Sequence, residues 1–419
     1  MLVWIFQTGE PLHSDGEFAR PMRAMNLANA LISNGDEVVI WSSNFFHQKM
    51  KHRFKKKKSI TFRKNLKINL IDSIGYKNHI GVKRMIDHAQ LGLNLFKELH
   101  SYKGKLPDRV FIGYPPIEFA LAASFWCKKN KIPYILDIKD LWPDIYLEPI
   151  PKPLKRLAKI ILSPYFIMAS WTCRNASLIS TITKDYLNWI YGFAGIKPRK
   201  KDFIFPLTTV KNKDKKENIF ISKSEMNLIN KIMNNKIKNI KIILFTGSFI
   251  EDLDIEPLIY AAERALKENK NWIFVLCGDG PKWQEVNKRI GQFNNTYLPG
   301  WITSYAIQKI SRIPSIGIVL FRNVPNYTLS ISNKTYEYLS LGIPIFSSLK
   351  GTLNKFIAKN NIGVNFDCYE NKSLYYSLDN YFRDSSKYKV QSDNAKNLYK
   401  NQFEGNLVYQ IAINKLKEL

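Results

Sequence analysis

Apolar runs of strand length alternate with helical periodicities from one end of the chain to the other, an order that leads to parallel sheets covered by helices. In the first half the strand candidates are residues 2–7, 37–42, 66–71, 109–113, 133–138 and 177–182. In the second half they are 240–245, 272–277, 296–298, 316–321 and 343–346. Helical patterns fill the gaps: Ala24, Leu27, Ala28, Leu31 and Ile32 share one face, with Pro21 suited to a first turn and Gly35 to an end. The expected fold class is therefore α/β, with two Rossmann-like parallel-sheet domains. The boundary falls between 197 and 218, where PRKK, a short FIFP strand and the run KNKDKKEN follow one another. This divides the chain into a first domain at 1–205, a second at 206–395, and a terminal helix at 396–419 expected to pack back on the first domain.

Lys and Arg outnumber Asp and Glu by 63 to 35, a net charge of +28 that favours an anionic partner: nucleic acid, a phospholipid surface or a diphosphate-bearing substrate. The excess is concentrated. Residues 49–58, KMKHRFKKKK, follow the aromatic pair Phe45 and Phe46, and residues 152–171, KPLKRLAKIILSPYFIMASW, place Leu154, Leu157, Ala158 and Ile161 on one helical face beside Lys155, Arg156 and Lys159. Segments 45–62 and 152–171 thus suit an anionic membrane surface. The alternative for each is a mobile lysine loop and a core-packed helix with a solvated basic face. Residues 211–241 read as a loop or a loosely packed helix. Cys127, Cys173, Cys277 and Cys368 lie far apart without CxxC pairing and read as buried hydrophobes of a reducing compartment. The opening run is a first buried strand rather than a signal peptide, and no apolar run reaches membrane-spanning length.

Loops after the predicted strands carry the chemistry, because ligands of open α/β sheets bind at the carboxyl ends of the strands. After the first strand, TGEPLHSDGEFAR brings Gly16 and leads to a helix whose first turn would carry Arg20 and Arg23, suited to an anion. The loop has neither GxGxxG nor GxxxxGK[ST] spacing, so nicotinamide binding and ATP hydrolysis are not supported. The second half has Phe245-Thr246-Gly247-Ser248-Phe249, Gly278-Asp279-Gly280-Pro281 and Pro299-Gly300-Trp301 at strand ends. The stretch SNKTYEYLSLGIPIFS at 332–347 then delivers a cation, Lys334, and a carboxylate, Glu337, three residues apart on a short helix stopped by Gly342. Such a pair suits a nucleotide's phosphate and ribose; its alternative is a solvated helix face.

Taken in order, the glycine loop before RPMRAMNLANALISNGDEVVIWSS, DIKDLWPD at 137–144, FTGSF, VLCGDGP, LPGW and SNKTYEYLSLGIPI resemble the retaining GT-B glycosyltransferases of family 4, in particular the bacterial surface-polysaccharide branch. The likeness spans nearly the whole chain. It implies two domains facing across a cleft, with the donor nucleotide in the second: Glu337 on the ribose, Lys334, Gly247 and Ser248 near the diphosphate, Gly300 and Trp301 lining the base pocket, and Tyr338 beside them. It also implies that Gly16 closes over the sugar and phosphate, that Arg20 and Arg23 serve the acceptor or phosphate side, and that Asp140 with Lys139 lies near the reacting centre. Two departures stand out. Leu329 occupies the place of a second glutamate eight residues before Glu337, and Ser248 and Asp254 stand where Arg and Lys are usual, so phosphate charge would fall to Lys334, Arg322 or Arg20. Asp252 and Asp254 have DxD spacing, but after the wrong strand for metal binding in this fold, and no metal or other cofactor is expected beyond the nucleotide diphosphate sugar as co-substrate.

The resemblance implies transfer of a hexosyl or N-acetylhexosaminyl group from a UDP-sugar to a lipid-linked saccharide acceptor in capsule or O-antigen synthesis. The expected location is the cytoplasmic side of the membrane, peripherally bound. Asp140 is the expected acceptor-orienting or charge-stabilising group; its alternative is a cap on the turn before Trp142-Pro143. A sugar-nucleotide epimerase has the same two-domain architecture but no need of basic docking segments. A nucleic-acid binder would fit the charge, yet no reading motif accompanies it, so no nucleic-acid partner is expected.

Overall fold

The apolar run LVWIF at the start forms the middle of a sheet, every residue of it buried, because helices cover both faces. The computed structural model describes residues 1–419 except 17–18, 57, 78–80, 211–221, 234–238 and 368. The chain divides into two units, Met1–Pro206 with Asn406–Leu419, and Leu207–Gly405.

The first unit contains, in chain order, β1 (Leu2–Phe6), α1 (Arg23–Ser33), β2 (Glu37–Ser43), β3 (Phe45–Phe46), β4 (Lys51–His52), β5 (Lys58–Arg63), β6 (Leu66–Ile71), α2 (Val82–His100), β7 (Arg109–Tyr114) and α3 (Ile117–Lys129). It continues with β8 (Tyr134–Ile138), α4 (Lys155–Ile161), α5 (Ser163–Asn175), β9 (Leu178–Thr181), α6 (Lys184–Ala194) and β10 (Phe203–Ile204). Its sheet runs β10-β9-β8-β7-β1-β2-β6-β5, parallel throughout except for β5, which pairs antiparallel with β6 at the edge. Aromatic packing ties helix to sheet: Trp4 of β1 stacks on Trp126 of α3 with centroids 5.0 Å apart.

The second unit comprises α7 (Lys223–Met233), β11 (Lys241–Thr246), α8 (Glu256–Lys267), β12 (Trp272–Cys277), α9 (Trp283–Ile290), β13 (Thr296–Gly300), α10 (Ser304–Ile310), β14 (Ser315–Val319), α11 (Pro325–Thr328), α12 (Asn333–Leu341), β15 (Ile345–Ser347) and β16 (Gly363–Asn365), followed by further helices. Its all-parallel sheet has the order β13-β12-β11-β14-β15-β16. Numbered within the unit this is 3-2-1-4-5-6, the doubly wound order that reverses direction between its first and fourth strands, here β11 and β14. Both units are thus Rossmann-like, as the alternation of patterns predicts.

Several sequence expectations change. Pro21 precedes the N-cap Met22, so it lies outside the first turn of α1. The lysine-rich stretch is not simply a loop: β3 and β4 form a hairpin and β5 a strand, with Lys57 outside the described residues. Phe45 and Phe46 are each only 5 % exposed, because Phe45 packs on Tyr76 and Arg53 covers Phe46, so the aromatic pair belongs to the interior and not to a docking surface. Lys223–Met233 form α7 with Leu228, Ile229 and Ile232 buried, while 211–221 and 234–238 lie outside the described residues. At the carboxyl end, 396–405 belongs to the second unit, since Tyr399 enters its core and Phe403 packs on Tyr336, and the segment in the first unit begins at 406. There Tyr409 meets Phe205 edge-on and Arg109 donates to the Leu416 carbonyl. Cys127, Cys173 and Cys277 are buried free thiols; Cys368 lies outside the described residues. Among the described residues no helix is long and apolar enough to cross a membrane.

Arg23 opens α1 but is 5 % exposed. Its guanidinium grips both oxygens of Asp137 at 2.8 and 3.0 Å and donates to the carbonyls of Phe205 and Pro206 at 2.8 and 3.0 Å, lying over the Phe205 ring. Ser180 donates a further bond to Asp137 at 2.7 Å. A desolvated charge must be paired and hydrogen-bonded to be tolerated, and this one is. The arginine expected on the exposed phosphate side is therefore a bolt through the first unit. Arg23→Ala should cost about 3–5 kcal/mol, because it strands the buried Asp137 carboxylate; urea unfolding of the variant measures the loss.

Candidate functional site

In the second unit the loops that leave β11, β12 and β13 lie side by side. Gly247 N–H donates to the Cys277 carbonyl at 2.9 Å, Gly278 N–H to the Gly300 carbonyl at 2.8 Å, and Phe249 N–H to the Asp279 carbonyl at 3.0 Å. The FTGSF and CGDGP turns touch backbone to backbone: a Cβ on Gly278 would sit 1.8 Å from the Gly247 carbonyl oxygen. Glycine is required there for close approach. The predicted residues Gly247, Ser248, Gly300 and Trp301 are accordingly brought to one sheet edge. Ser248 is exposed and Trp301 is 59 % exposed.

Lys334 decides the character of this edge. It is the second residue of α12, which follows β14, and its amine lies between the Phe245 and Phe321 rings, 4.1 and 4.6 Å from their centroids. A Cβ on Gly247 would be 3.0 Å from that nitrogen, so the amine stands directly over the FTGSF turn. Nζ is buried and has no hydrogen-bond partner among the described residues, and burial pulls its pKa from the ordinary lysine range down to about 7. Two ring faces attract a cation but do not replace the hydration it has lost. The amine therefore sits at the switch point between β11 and β14. Glu337, three residues on, is half-buried on the same helix face.

Tyr338, grouped with the donor residues by resemblance, has a different place. It is fully buried, and its hydroxyl accepts from the Thr246 N–H at 3.0 Å and donates to the Leu244 carbonyl at 3.1 Å. Its ring lies where a side chain on Gly317 would clash, so it fastens α12 to β11 and β14 from within. Arg322, an alternative phosphate cation, is ion-paired to Asp252, whose other oxygen accepts from the Tyr327 hydroxyl at 3.2 Å. Tyr327 in turn stacks on Phe321 at 4.5 Å, so this trio holds the aromatic wall of Lys334. Asp252 is thereby engaged in a structural contact, and among the described residues no cluster of three or more His, Cys, Asp or Glu is placed to hold a metal. Phe245 and Phe321 were not singled out from sequence; they sit inside strand-like apolar runs and nothing in their spacing distinguishes a wall from a core residue.

In the first unit, Lys139 at the end of β8 is ion-paired to Glu10 and donates to Gln7 Oε1 at 3.0 Å. Glu10 also accepts the Ala24 N–H at 2.9 Å at the start of α1. The lysine expected at the reacting centre thus anchors the loop after β1. Gly16 has φ +108° with open space where a side chain would be, on a loop pinned by Arg53, which grips both oxygens of Asp15 at 2.7 and 2.9 Å. Arg20 is exposed, Arg23 is internal, and Asp140 is half-buried with its carbonyl accepting from Trp142 N–H at 2.9 Å.

Residues 229–398 match the family described as glycosyl transferases group 1. That group 1 region contains β11 to β16, Lys334 and Glu337. No curated protein matches the chain in sequence. Among solved structures, sucrose-phosphate synthase from Thermosynechococcus elongatus superimposes with a TM-score of 0.70 at 11 % identity, over 100 % of this chain and 98 % of that one. WaaG, a glycosyltransferase involved in lipopolysaccharide biosynthesis, gives 0.65 at 14 % identity, covering 99 % of each chain. Anabaena HepE, in complex with UDP and glucose, gives 0.64 at 12 % identity over 100 % and 99 %. The fold is that of the GT-B glycosyltransferases, and the group 1 match with that fold supports a glycosyltransferase.

Two outcomes test the site. Lys334→Met keeps the side-chain volume and removes the charge. The folded amine loses its proton near pH 7 and the unfolded one only near its ordinary pKa of about 10.4, so the penalty for burying it is full below about pH 7 and fades toward pH 10. The variant should therefore melt higher than wild type at neutral pH, with the gap closing as pH rises. Tyr338→Phe should destabilise the protein by about 1–3 kcal/mol in urea, since it strips partners from buried backbone groups.

Proposed function

We propose that this chain is a retaining glycosyltransferase that moves a hexosyl or N-acetylhexosaminyl group from a UDP-sugar to a lipid-linked saccharide acceptor in capsule or O-antigen synthesis, working peripherally at the inner face of the cytoplasmic membrane. The observation that carries the reading is the buried, unpartnered amine of Lys334 over the FTGSF turn. The group 1 match over the surrounding unit and the likeness to HepE, which binds UDP and glucose, support a nucleotide sugar as the donor. WaaG supports a saccharide acceptor of the cell envelope.

On this reading the donor diphosphate meets the Lys334 amine and the N–H groups of the glycine turn, and Glu337 accepts hydrogen bonds from the ribose hydroxyls. The bond between anomeric carbon and phosphate oxygen breaks with its electron pair leaving on the diphosphate, and preorganised positive charge stabilises that developing charge. The acceptor hydroxyl attacks from the same face, passing its proton to the departing phosphate oxygen, so the configuration is retained. Asp140 orients the acceptor hydroxyl from the first unit. Lys334 serves where the resembled family often has additional cations after its glycine turn.

The test is donor binding. UDP should raise the melting temperature of the wild-type protein, and Lys334→Met should weaken UDP by about ten- to a hundredfold, the cost of one charge-assisted contact. Bound diphosphate favours the protonated amine, so UDP affinity of the wild type should fall as pH rises from about 7 to 9, with little slope in the variant. Glu337→Ala should abolish transfer with the fold intact; turnover like wild type would remove its ribose role. UDP release that needs no acceptor would favour an epimerase or hydrolase instead.

A further inference from the structure

The helix pair α4 and α5 carries an unusual surface. Leu154, Leu157, Ile160, Ile161 and Ile167 are between 54 and 70 % exposed, so the apolar face that the sequence left open between core and interface is not packed inward. Residues 151–175 contain five Lys or Arg and no Asp or Glu. Five large aliphatic side chains within fourteen residues form a patch, whereas single exposed ones need no explanation.

Between the two helices lies a groove of about 690 Å³, within the range of about 300–1,000 Å³ usual for small-molecule sites. Its lining divides by chemistry. Ile160, Phe166, Ile167 and Trp171 supply apolar wall, Arg156, Lys159 and Arg174 bring cations, and Ser163 and Ser170 complete the lining. On α5 the lining positions 163, 166, 167, 170, 171 and 174 follow the i, i+3, i+4 rule of one helical face. Arg174 is fixed by a bond from its Nε to the Ala194 carbonyl at 2.6 Å, and Lys159 is held over the Phe166 ring at 5.4 Å. Among the described residues none of the three cations is ion-paired to a carboxylate.

We infer that this groove binds one membrane lipid with a phosphate head, its chain lying on Ile160, Phe166 and Ile167 and its phosphate met by Arg156, Lys159 and Arg174. Three cations without acids along one groove favour an anion, and an adjoining aliphatic wall favours a chain attached to it. Surface adsorption through scattered lysines would need neither a groove nor exposed isoleucines. The inference rests on the membrane part of the proposed function and deepens it: a discrete site takes the lipid, and it does so independently of donor chemistry.

Isothermal titration of the full-length protein with dodecyl phosphate, below its micellar concentration, should saturate at one site. Inorganic phosphate and dodecyl maltoside should fail to displace it, since each offers one half of the ligand. Ile160→Ser/Ile167→Ser and Arg156→Gln/Lys159→Gln should each weaken dodecyl phosphate by about tenfold or more, equivalent to losing about 1.4 kcal/mol. Both should also reduce flotation with phosphatidylcholine vesicles containing phosphatidylglycerol. Non-saturating titration, equal competition by inorganic phosphate, or sensitivity of the charge variant alone would overturn the groove. So would a concentration-dependent dimer dispersed by Ile160→Ser/Ile167→Ser. UDP-induced stabilisation, measured on the same variants, keeps the two readings apart: its retention alongside lost lipid binding supports the groove, and its absence in every form with lipid binding intact counts against the donor site only.

Discussion

Parallel strands cannot be joined by a tight turn and need a crossover, usually a helix, and this constraint governs where chemistry can sit in the molecule. Every parallel strand then releases its loop at the same edge of the sheet, and in the doubly wound order the crossovers change direction at one place. In the second unit that place is between β11 and β14, where the FTGSF turn, Phe321 and the start of α12 converge. The site is therefore a property of the winding; glycines at 247 and 278 let two turns touch closely enough to leave the Lys334 amine over bare backbone.

Two buried cations in this chain show how burial separates structure from function. Arg23 has both nitrogens matched to Asp137 and two carbonyls, a closed set that holds α1, β8 and the end of the first unit together. Among the described residues Lys334 has only ring faces. Desolvation is unfavourable in both, but only the arginine recovers it inside the protein. The lysine instead keeps its desolvation cost, and burial draws its pKa down to about 7.

The basic excess is also resolved by position. Part of the 45–62 segment folds into the first unit, with Arg53 turned inward onto Asp15 and Phe45 and Phe46 in the interior. Lys58 and Arg63 sit on β5, an edge strand whose charge guards it against pairing with other chains. The 152–171 segment differs because α4 and α5 leave their aliphatic side chains outside beside the cations.

Periodicity in the sequence determined most of the strands, the α/β class and the two-domain division, because parallel strands buried on both faces must read as continuous apolar runs bounded by glycine and polar turns. It also marked the turns that build the site edge, since only glycine fits where backbones meet. What it left undecided were the roles of individual charged and aromatic side chains: Arg23 and Lys334 are alike at helix starts, Tyr338 and Glu337 adjacent on one helix, Phe321 one apolar residue among several. Those roles depend on partners far along the chain, Asp137 for the first, Leu244 and Thr246 for the third. The tertiary structure alone decides which cation is satisfied, because hydrogen bonding and desolvation are set by neighbours in space and not by neighbours in sequence.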